Sequence, residues 1–335
     1  MTTKIEGIWK ELEEDISFSG GLLLRRYAPD VLPDIFVALR QPEKLRSIAV
    51  RLQAADTINL SAYSFLKEIR LEILPDERDS SANYLLILLS SPQHRDVFAT
   101  LSEDLIWGIH NLTQKGKIVK ELLNRLEKWK SLFDKAASSE LSSEEQQGLF
   151  GEMYLLRKWI TISSDHQRCV DSWLGPEMEL RDFQYGDWGV EVKTTFGNNH
   201  QRIHISSERQ LDTSHLKNLF LYHLSLESQN QNGETLNQLR SSILNLLEDD
   251  PGAQARFRSK LLQVGYLSHH QTFYDKTGYH VRQETFYAVK DAFPRLEEKD
   301  LRAGVGEVKY SIILSNFSDF IIGESSVFKF INDYV

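Results

Sequence analysis

The sequence predicts an α+β protein whose middle part is a mixed β-sheet with helices on its faces. The chain has 335 residues, a length that corresponds to two or three domains of about 100–200 residues each. Its hydrophobic fraction of 41% is sufficient for ordinary packed cores. In the middle third, a helical pattern is followed by strand-like runs, a short helix and a further strand, an order typical of a mixed sheet flanked by helices.

The first third, residues 1–136, is predicted to form a separate small α+β domain. Apolar, β-prone runs predict strands at residues 35–39, 48–52, 69–74 and 84–89. Apolar residues then recur at helical spacing from Phe98 to Ile109 and from Ile118 to Phe133. The polar stretch at residues 134–140 predicts a linker to the next domain.

Residues 142–230 are predicted to form the central domain. Ser142 is followed three residues later by Glu145, the spacing of a capping box at a helix start, and that helix should continue to Ile160. Strand-like runs follow at residues 178–184, 188–195, 202–205 and 219–224, with a short helix at residues 206–211 before the last of them.

The last third, residues 231–335, carries a weaker pattern. Helical spacing of apolar residues covers 236–247 and 255–264, and strands are predicted at 285–289 and 309–314. This segment is either an elaboration of the central domain or a third small domain, and the pattern does not decide between the two.

The candidate site begins on the first helix of the central domain. Leu149, Met153, Leu156 and Ile160 form one apolar stripe on this helix, and Glu152 flanks the stripe. A carboxylate that points toward a core is costly unless it is paired or binds a metal ion. Taken alone, Glu152 is better explained as a residue at the edge of the stripe that extends into water.

Two further carboxylates are predicted to face each other across a β-hairpin. Gly186 and Asp187 fit a two-residue hairpin loop, and counting outward from it places Asp182 opposite Glu191. Directly opposed side chains have Cβ atoms about 4.5–5.5 Å apart, so the two negative charges repel each other unless a cation lies between them. Lys193 follows Glu191 on the same face of the strand.

These residue types together fit metal-dependent hydrolysis of a phosphodiester. A hard divalent ion such as Mg²⁺, or Mn²⁺ in its place, takes oxygen ligands, which Asp182, Glu191 and Glu152 would supply. Such an ion polarises the phosphodiester and activates a water molecule, while Lys193 would steady the attacking water or the charge on the phosphate. The same Glu-x-Lys spacing also occurs by chance in exposed strands with an ordinary ion pair.

A second Glu-x-Lys sequence, at Glu307 and Lys309, serves as an internal control. Its nearest upstream acid is Asp300, in a charged loop, and no acid-bearing amphipathic helix precedes it at the right distance. We predict that this second segment is a solvated strand start.

The central segment resembles the PD-(D/E)xK nuclease superfamily, which has the restriction-endonuclease-like fold. That superfamily places an acid on a first helix, an aspartate at a second strand and Glu-x-Lys on a third. The corresponding residues here are Glu152, Asp182, Glu191 and Lys193. One departure is that Arg181, rather than proline, precedes Asp182.

A narrower resemblance, over most of the chain, is to a group of bacterial PD-(D/E)xK motif proteins often associated with phage-defence gene clusters. The matching stretches are GLFGE at 148–152, WLGP at 173–176, DF at 182–183, VEVKTT at 190–195, IHIS at 203–206 and QL at 210–211. The resemblance implies a restriction-endonuclease-like core, a Mg²⁺-dependent endonuclease activity on DNA, and partners among other defence-system proteins.

Three other features were weighed for a role in the site. Gln210 follows the predicted strand at 202–205 and is either an accessory site residue or a surface glutamine. His200 and His204 are four residues apart, which on a strand is about 13 Å, too far to chelate one ion, so we predict no zinc site. No glycine-rich nucleotide-binding loop is present, so an ATP-driven motor would be another protein.

The net charge of −9 argues weakly against broad nucleic-acid binding by this chain alone. A mildly basic, aromatic stretch from Arg256 to Tyr274 is better explained as a solvated helix face than as a nucleic-acid contact. We therefore expect a partner protein, or the second subunit of a homodimer, to present the DNA. The sequence lacks an apolar run of membrane-spanning length and the features of a signal peptide, so we expect a cytoplasmic protein.

Three functional interpretations remain open. The leading one is an endonuclease that acts on DNA within a restriction or phage-defence system. The second is a nuclease-fold subunit with little or no activity that acts as an interaction module, and the third is a nuclease that acts on RNA. The intact set of acids and lysine favours the first over the second, whereas the sequence does not separate DNA from RNA substrates.

Overall fold

A computed structural model describes residues 4–17, 20–53, 60, 69–90, 94–135, 140–177, 179–197, 201–230, 232–267 and 270–333. The chain divides into two compact units, Met1–Ser138 and Ser139–Val335. Residues 134 and 135 of the predicted linker belong to a helix, and residues 136–139 lie outside the described part of the chain. None of the described helices combines the length and the apolar character that a membrane span requires.

The described part of the first unit contains a five-stranded antiparallel sheet and three helices. Its elements in chain order are α1 (Lys4–Glu14), β1 (Gly21–Arg26), β2 (Ile35–Gln41), β3 (Leu45–Gln53), β4 (Ile69–Pro75), β5 (Ala82–Leu89), α2 (Arg95–Ile109) and α3 (Lys115–Lys135). The strand order is β1-β2-β3-β5-β4. The four predicted strands correspond to β2–β5 and the two helical patterns to α2 and α3, whereas α1 and β1 have no counterpart in the sequence prediction.

The second unit contains the candidate site residues. Its elements in chain order are α4 (Ser143–Ile162), α5 (His166–Asp171), β6 (Phe183–Tyr185), β7 (Trp188–Phe196), β8 (Arg202–Ile205), β9 (Asn218–Asn230), β10 (Glu234–Thr235), α6 (Leu236–Leu246), α7 (Pro251–Gln263), α8 (Gln271–Tyr274), β11 (Thr277–Ala288), β12 (Tyr310–Ile313), β13 (Ile321–Ile322) and α9 (Glu324–Asp333).

The main sheet of this unit is mixed, as the sequence predicts. Its strand order is β10-β11-β9-β7-β6, and β13 pairs with the end of β11. Strands β7 and β9 run parallel, and the other neighbouring strands run antiparallel. Because β10, β11 and β13 come from the last third of the chain, that segment contributes to the same sheet as the candidate site.

The two faces of this sheet are covered by different structures. Val190 and Val192 of β7 and Tyr222 of β9 belong to a large buried cluster with residues of α4, α6, α7 and α9. Leu219 and Leu221 of β9 instead pack with residues of β8 and β12, which form an antiparallel pair of their own. Alternate residues along the central strands therefore point either toward the helices or toward the β8–β12 pair.

Some predicted elements differ in extent from the observed ones. The strand predicted at 178–184 is confined to β6, because the chain before it forms a 3-10 turn at Gly175–Glu177; Met178 lies outside the described residues. The strand predicted at 285–289 is the end of the longer β11, whose earlier half alternates less clearly because it carries several charged residues. The short helix predicted at 206–211 is a 3-10 turn at Glu208–Leu211.

Candidate functional site

A capping box fixes the start of α4. The Ser142 hydroxyl accepts a hydrogen bond from the Glu145 backbone N–H at 3.2 Å, and the Glu145 carboxylate accepts one from the Ser142 backbone N–H at 2.8 Å. These bonds satisfy two N–H groups that a helix start leaves unpaired. The predicted start is thereby confirmed, and it sets which face of α4 carries Glu152.

A glycine allows α4 to lie close to the central strand. A β-carbon added at Gly151 would collide with the Thr194 side chain and would stand 3.3 Å from Cγ1 of Val192. Only a residue without a side chain permits this approach of helix to strand. The close packing places the next residue, Glu152, beside the sheet instead of in solvent, and so corrects the interpretation favoured for Glu152 alone.

The β6–β7 hairpin has the predicted register. Tyr185 pairs with Trp188, and the two following pairs continue to Phe183 opposite Val190. Gly186 has a φ of +57°, a backbone conformation that glycine adopts without steric cost at the first position of a two-residue hairpin loop. Asp182 directly precedes β6, where continued pairing would place it opposite Glu191.

Asp182 is attached to both of its neighbouring segments. Its carboxylate Oδ2 accepts a hydrogen bond from the Val192 backbone N–H at 2.7 Å. Its backbone carbonyl accepts hydrogen bonds from the backbone N–H groups of Leu174 and Gly175 at 2.7 and 3.0 Å. The carboxylate is therefore fixed beside the stretch of β7 that carries the other predicted site residues.

Glu152 reaches the same location from the helix. Its carboxylate Oε2 accepts a hydrogen bond from the indole N–H of Trp173 at 2.7 Å. A β-carbon added at Gly175 would collide with that same oxygen and would stand 3.3 Å from Oδ1 of Asp182. Glu152 and Asp182 thus share the space beside Gly175, and any larger residue there would displace one of the two carboxylates.

Lys193 joins Glu191 to Gln210. Its ammonium lies 2.6 Å from Oε1 of Glu191 and donates a hydrogen bond to Oε1 of Gln210 at 3.4 Å. The Gln210 oxygen also accepts a hydrogen bond from the Ser206 backbone N–H at 2.9 Å, which fixes the amide orientation. The structure therefore brings Gln210 next to Lys193, one of the four site residues predicted from the sequence, instead of leaving it as an isolated surface residue.

Glu191 is buried and Glu152 and Asp182 are half-buried, and the loss of contact with water governs the protonation of all three acids. Burial and the charge of Asp182 raise the pKa of Glu191 to about 8, and the same two causes raise the pKa of Glu152 well above its usual value. Burial also raises the pKa of Asp182, against the opposing effects of Lys193 and of the hydrogen bond from Val192. Without a bound cation, the site therefore favours protonation of its acids over several negative charges in one place.

Lys193 remains a cation in these surroundings. Burial would lower the pKa of its ammonium, but Glu191 and Asp182 outweigh burial and raise that pKa above its usual value. The side chain thus stays protonated and donates hydrogen bonds at neutral pH.

Arg181 supplies a second positive charge, which the sequence analysis did not assign. Its side chain is buried, and its guanidinium donates a hydrogen bond to the Asp212 carbonyl, just after the turn that carries Gln210. The charge of Arg181 also helps to lower the pKa of Glu191. The one sign of this role in the sequence was that Arg181 occupies the position before Asp182, where the motif has proline.

One family model matches nearly the whole chain. It is described as "Putative PD-(D/E)XK family member, (DUF4420)" and matches residues 5–315. The chain belongs to this family. The resemblance predicted from the sequence is thereby confirmed, and the family match extends over the described parts of both units. A search of curated proteins gives no match, and a search of solved structures gives none.

PD-(D/E)XK nucleases typically use divalent metal ions, and the carboxylate oxygens of this site are the type of donor that such an ion takes. In the described ranges, no group of three or more His, Cys, Asp or Glu side chains is spaced to hold a metal. The carboxylates instead take separate partners, Trp173, the Val192 N–H and Lys193. However, the buried Oε2 of Glu191 accepts no hydrogen bond, and a hard cation would neutralise acids that lack sufficient positive charge.

The second Glu-x-Lys sequence lies in solvent, as predicted. Glu307 and Lys309 are exposed, and β12 begins only at the next residue, Tyr310. Of the histidines considered for zinc, His200 lies outside the described residues, and His204 is exposed with its Nδ1 3.0 Å from the Ser311 hydroxyl.

The basic, aromatic stretch from Arg256 to Tyr274 is not a solvated helix face throughout. Lys260 and Tyr274 are fully buried, and the Arg256 guanidinium lies 2.9 Å from the Glu177 carboxylate. Composition alone suggested a solvated face because lysine and arginine are usually exposed, whereas here they meet acceptors contributed by a distant part of the chain.

Proposed function

We propose that this protein is a Mg²⁺-dependent endonuclease that hydrolyses phosphodiester bonds in DNA, acting in the cytoplasm as part of a bacterial restriction or phage-defence system. The observation that carries the proposal is the convergence of Glu152, Asp182 and the buried Glu191 beside the charged Lys193. Membership of the PD-(D/E)XK family and the sequence resemblance to proteins of phage-defence clusters support the same conclusion.

Asp182, Glu191 and Glu152 are the residues that would hold the ion. When bound, a divalent ion polarises the scissile phosphodiester and lowers the pKa of a water molecule. The carboxylates have little freedom to move apart, because Trp173 holds Glu152 and the Val192 N–H holds Asp182. Because the three acids are not spaced to hold an ion in the described structure, Glu191 would have to turn from Lys193 toward the ion to complete the set.

Lys193 would act on the charge that develops on the reacting atoms. Its ammonium, positioned between Glu191 and Gln210, donates a hydrogen bond to the attacking water or to a non-bridging phosphate oxygen. Because the side chain is largely buried, the interaction is screened by water less than it would be at the surface. Gln210 would keep the ammonium oriented when Glu191 turns toward the ion.

The net charge of −9 bears on how DNA reaches the site. Neutralisation of phosphates by basic residues supplies most non-specific affinity for a duplex, so an acidic chain binds DNA weakly by itself. We propose that another defence-system protein, or the second copy in a homodimer, holds the DNA and presents one strand. Two copies related by a twofold axis would place two sites that cut both strands.

The test is cleavage of plasmid DNA by the purified protein with Mg²⁺ or Mn²⁺, with Lys193→Ala as the variant. Loss of one donor to a developing charge lowers the rate by about 10²–10³-fold, so cleavage should fall by that factor. Lys309→Ala is the matched control, since it removes the lysine of the exposed Glu-x-Lys sequence, and it should cleave at the wild-type rate.

Parallel reactions with single-stranded and structured RNA decide the substrate class. Cleavage of RNA but not DNA, lost in Lys193→Ala, would support a nuclease that acts on RNA. Equal, residual cleavage by wild type and Lys193→Ala on every substrate, also after the candidate partner is added, would support an interaction subunit and overturn the proposed activity.

A further inference from the structure

A buried lysine outside the candidate site holds the segment that contacts Glu152. Lys260 lies on α7, and its side chain is fully buried. Its ammonium donates hydrogen bonds to the backbone carbonyl of Trp173 and, at 3.4 Å, to that of Asp171, and it lies 3.0 Å from the Glu177 carboxylate. All of these acceptors belong to the segment 171–177, which begins at the last residue of α5.

Two neighbouring residues on the same face of α7, Arg256 and Phe257, also contact this segment. The Arg256 guanidinium lies 2.9 Å from the Glu177 carboxylate and 3.3 Å from that of Asp171. The Phe257 ring packs on the Trp173 ring, with centroids 5.7 Å apart and planes inclined by 34°. Segment 171–177 is therefore held by α7 through an ammonium, a guanidinium and an aromatic ring.

The segment in turn contacts two of the site carboxylates. The Trp173 indole N–H donates to Glu152, and the backbone N–H groups of Leu174 and Gly175 donate to the carbonyl of Asp182. Gly175 lies beside both carboxylates. A β-carbon added to it would collide with the carboxylate of Glu152. A displacement of the segment by a fraction of an ångström would therefore move the acids relative to each other.

A buried ammonium is an expensive way to stabilise a fold. Removing a charge from water costs several kcal/mol, and an apolar side chain of similar volume is often as stabilising as a buried ion pair. Burial indeed lowers the pKa of Lys260 to about 8, although Glu177 opposes that change. The ammonium donates directional hydrogen bonds to the backbone carbonyls at the end of α5 and just after it. An apolar side chain cannot form such bonds.

We propose that Lys260 is a positioning residue of the nuclease site, which acts by fixing segment 171–177 so that Trp173 holds the Glu152 carboxylate in place to bind the metal ion. This inference rests on the proposed function, since it assigns to the same metal-dependent site a residue that acts through Trp173 and does not bind the ion itself. It predicts that Lys260, which does not touch the site acids, contributes to metal affinity through Trp173.

The experiment compares Lys260→Met with Trp173→Phe, which keeps the ring but removes the indole donor. Loss of a residue that orients a metal ligand typically lowers metal affinity 10–100-fold, and each variant should weaken Mn²⁺ binding in calorimetry by about that factor. Both changes disturb the same connection from α7 to Glu152. The double variant should therefore have the Mn²⁺ affinity of whichever single variant binds less tightly, and the two losses should not add.

A second readout needs no metal. Hydrogen–deuterium exchange of the metal-free protein should be faster in segment 171–177 of Lys260→Met, with exchange in β7 and β9 unchanged. Val327→Ala is the control for general destabilisation, since Val327 is a fully buried residue of α9 in the same unit. It should lower the melting temperature without changing Mn²⁺ affinity or exchange in segment 171–177.

The outcomes separate this inference from the proposed function. Mn²⁺ binding by wild type with the same affinity in Lys260→Met would overturn the positioning role alone. Equal weakening by Lys260→Met and Val327→Ala, or fully additive losses in the double variant, would do the same. An absence of Mn²⁺ binding by wild type would overturn the proposed metal site, and with it the role of Lys260 toward that site.

Discussion

The chain contains two Glu-x-Lys sequences, and they lie in opposite surroundings. Glu191 is 1% exposed, and the ammonium of Lys193 lies against its carboxylate. Glu307 and Lys309 are exposed, and Glu307 has a φ of +56°, a left-handed conformation that interrupts strand geometry. The first sequence is part of a central strand, and the second precedes an edge strand.

The difference shows where the chemistry of such a motif comes from. The first sequence has an acid across a hairpin, an acid on the helix packed against its strand, and a glutamine beside its lysine. At the second sequence, the buried Glu208 carboxylate accepts a hydrogen bond from the Val308 backbone N–H at 2.9 Å, and backbone hydrogen bonds lower its pKa. Glu297, ten residues before Glu307, is paired with Arg295 and Lys299. The raised pKa of Glu191 comes from burial and from the charge of Asp182 beside it, not from the Glu-x-Lys spacing itself.

The largest expected difference between the two regions concerns metal binding. Asp182→Ala removes a carboxylate that lies beside Glu152 and next to Glu191, and calorimetry should show Mn²⁺ binding lost within the measurable range. Asp300→Ala, which removes the acid nearest upstream of the second sequence, should bind Mn²⁺ like wild type. Unchanged binding by Asp182→Ala would remove the distinction between the two regions.

The next effect concerns stability of the metal-free protein. Burial and Asp182 raise the pKa of Glu191 to about 8, so the residue must take up a proton when the protein folds at neutral pH. Glu191→Gln removes that cost, while Lys193 keeps Gln210 as a partner. The free energy of unfolding in a chelator should therefore rise by about 1–3 kcal/mol, even as Mg²⁺-dependent cleavage falls. Glu307→Gln, on the exposed sequence, should change stability by less than about 0.5 kcal/mol. Denaturant titration measures the free energy of unfolding of each variant. A lower value for Glu191→Gln than for wild type would contradict the prediction that its carboxyl destabilises the metal-free protein.

The acids of the two regions should also respond to pH in opposite ways. Although burial opposes the change, hydrogen bonds from Lys299, Thr213 and Arg295 lower the pKa of Glu297 to about 2. Because its pKa is lower in the folded protein than in the unfolded chain, Glu297 stabilises the fold above about pH 4.5. That contribution is lost as the pH falls toward 2.

Glu297→Gln tests this pH dependence. The variant should lower the free energy of unfolding by about 1–3 kcal/mol at pH 7, and the deficit should shrink between pH 4.5 and pH 3. Denaturant titrations at both ends of this range measure it. A deficit that is independent of pH would mean that Glu297 acts by packing and not by charge.

The smallest effect tests the neighbour of the first lysine. Gln210→Ala removes a hydrogen bond from the Lys193 ammonium that is long, at 3.4 Å, and therefore contributes only about 0.5–1.5 kcal/mol. The rate of DNA cleavage should fall by about 2–10-fold. Gln283→Ala, which alters an exposed glutamine on β11, is the control and should leave the rate unchanged. If Gln210→Ala cleaves DNA at the wild-type rate, Gln210 has no role in the reaction, and the functional residues are the three acids and Lys193.

The local parts of the site were predictable because they depend on short stretches of sequence. The capping box sets the start of α4 through two side chains three residues apart, and the glycine at position 186 fixes the hairpin register through the φ value that its loop requires. Apolar spacing along α4 and alternation along β7 then determine which residues face the core. These rules placed Asp182, Glu191 and Lys193 together. Glu152 joined the candidate site only through the resemblance to the PD-(D/E)xK superfamily, because its position on the helix favoured a residue that extends into water.

The tertiary structure alone decided what surrounds those residues. The parallel pairing of β7 with β9, the place of Arg181, the bond from Trp173 to Glu152 and the burial of Lys260 all join segments that are distant along the chain. Lys260 and the Trp173 carbonyl, for example, are 87 residues apart. No periodicity encodes such contacts, because they depend on how preformed elements pack, and burial rather than residue type then determines which charges are neutralised.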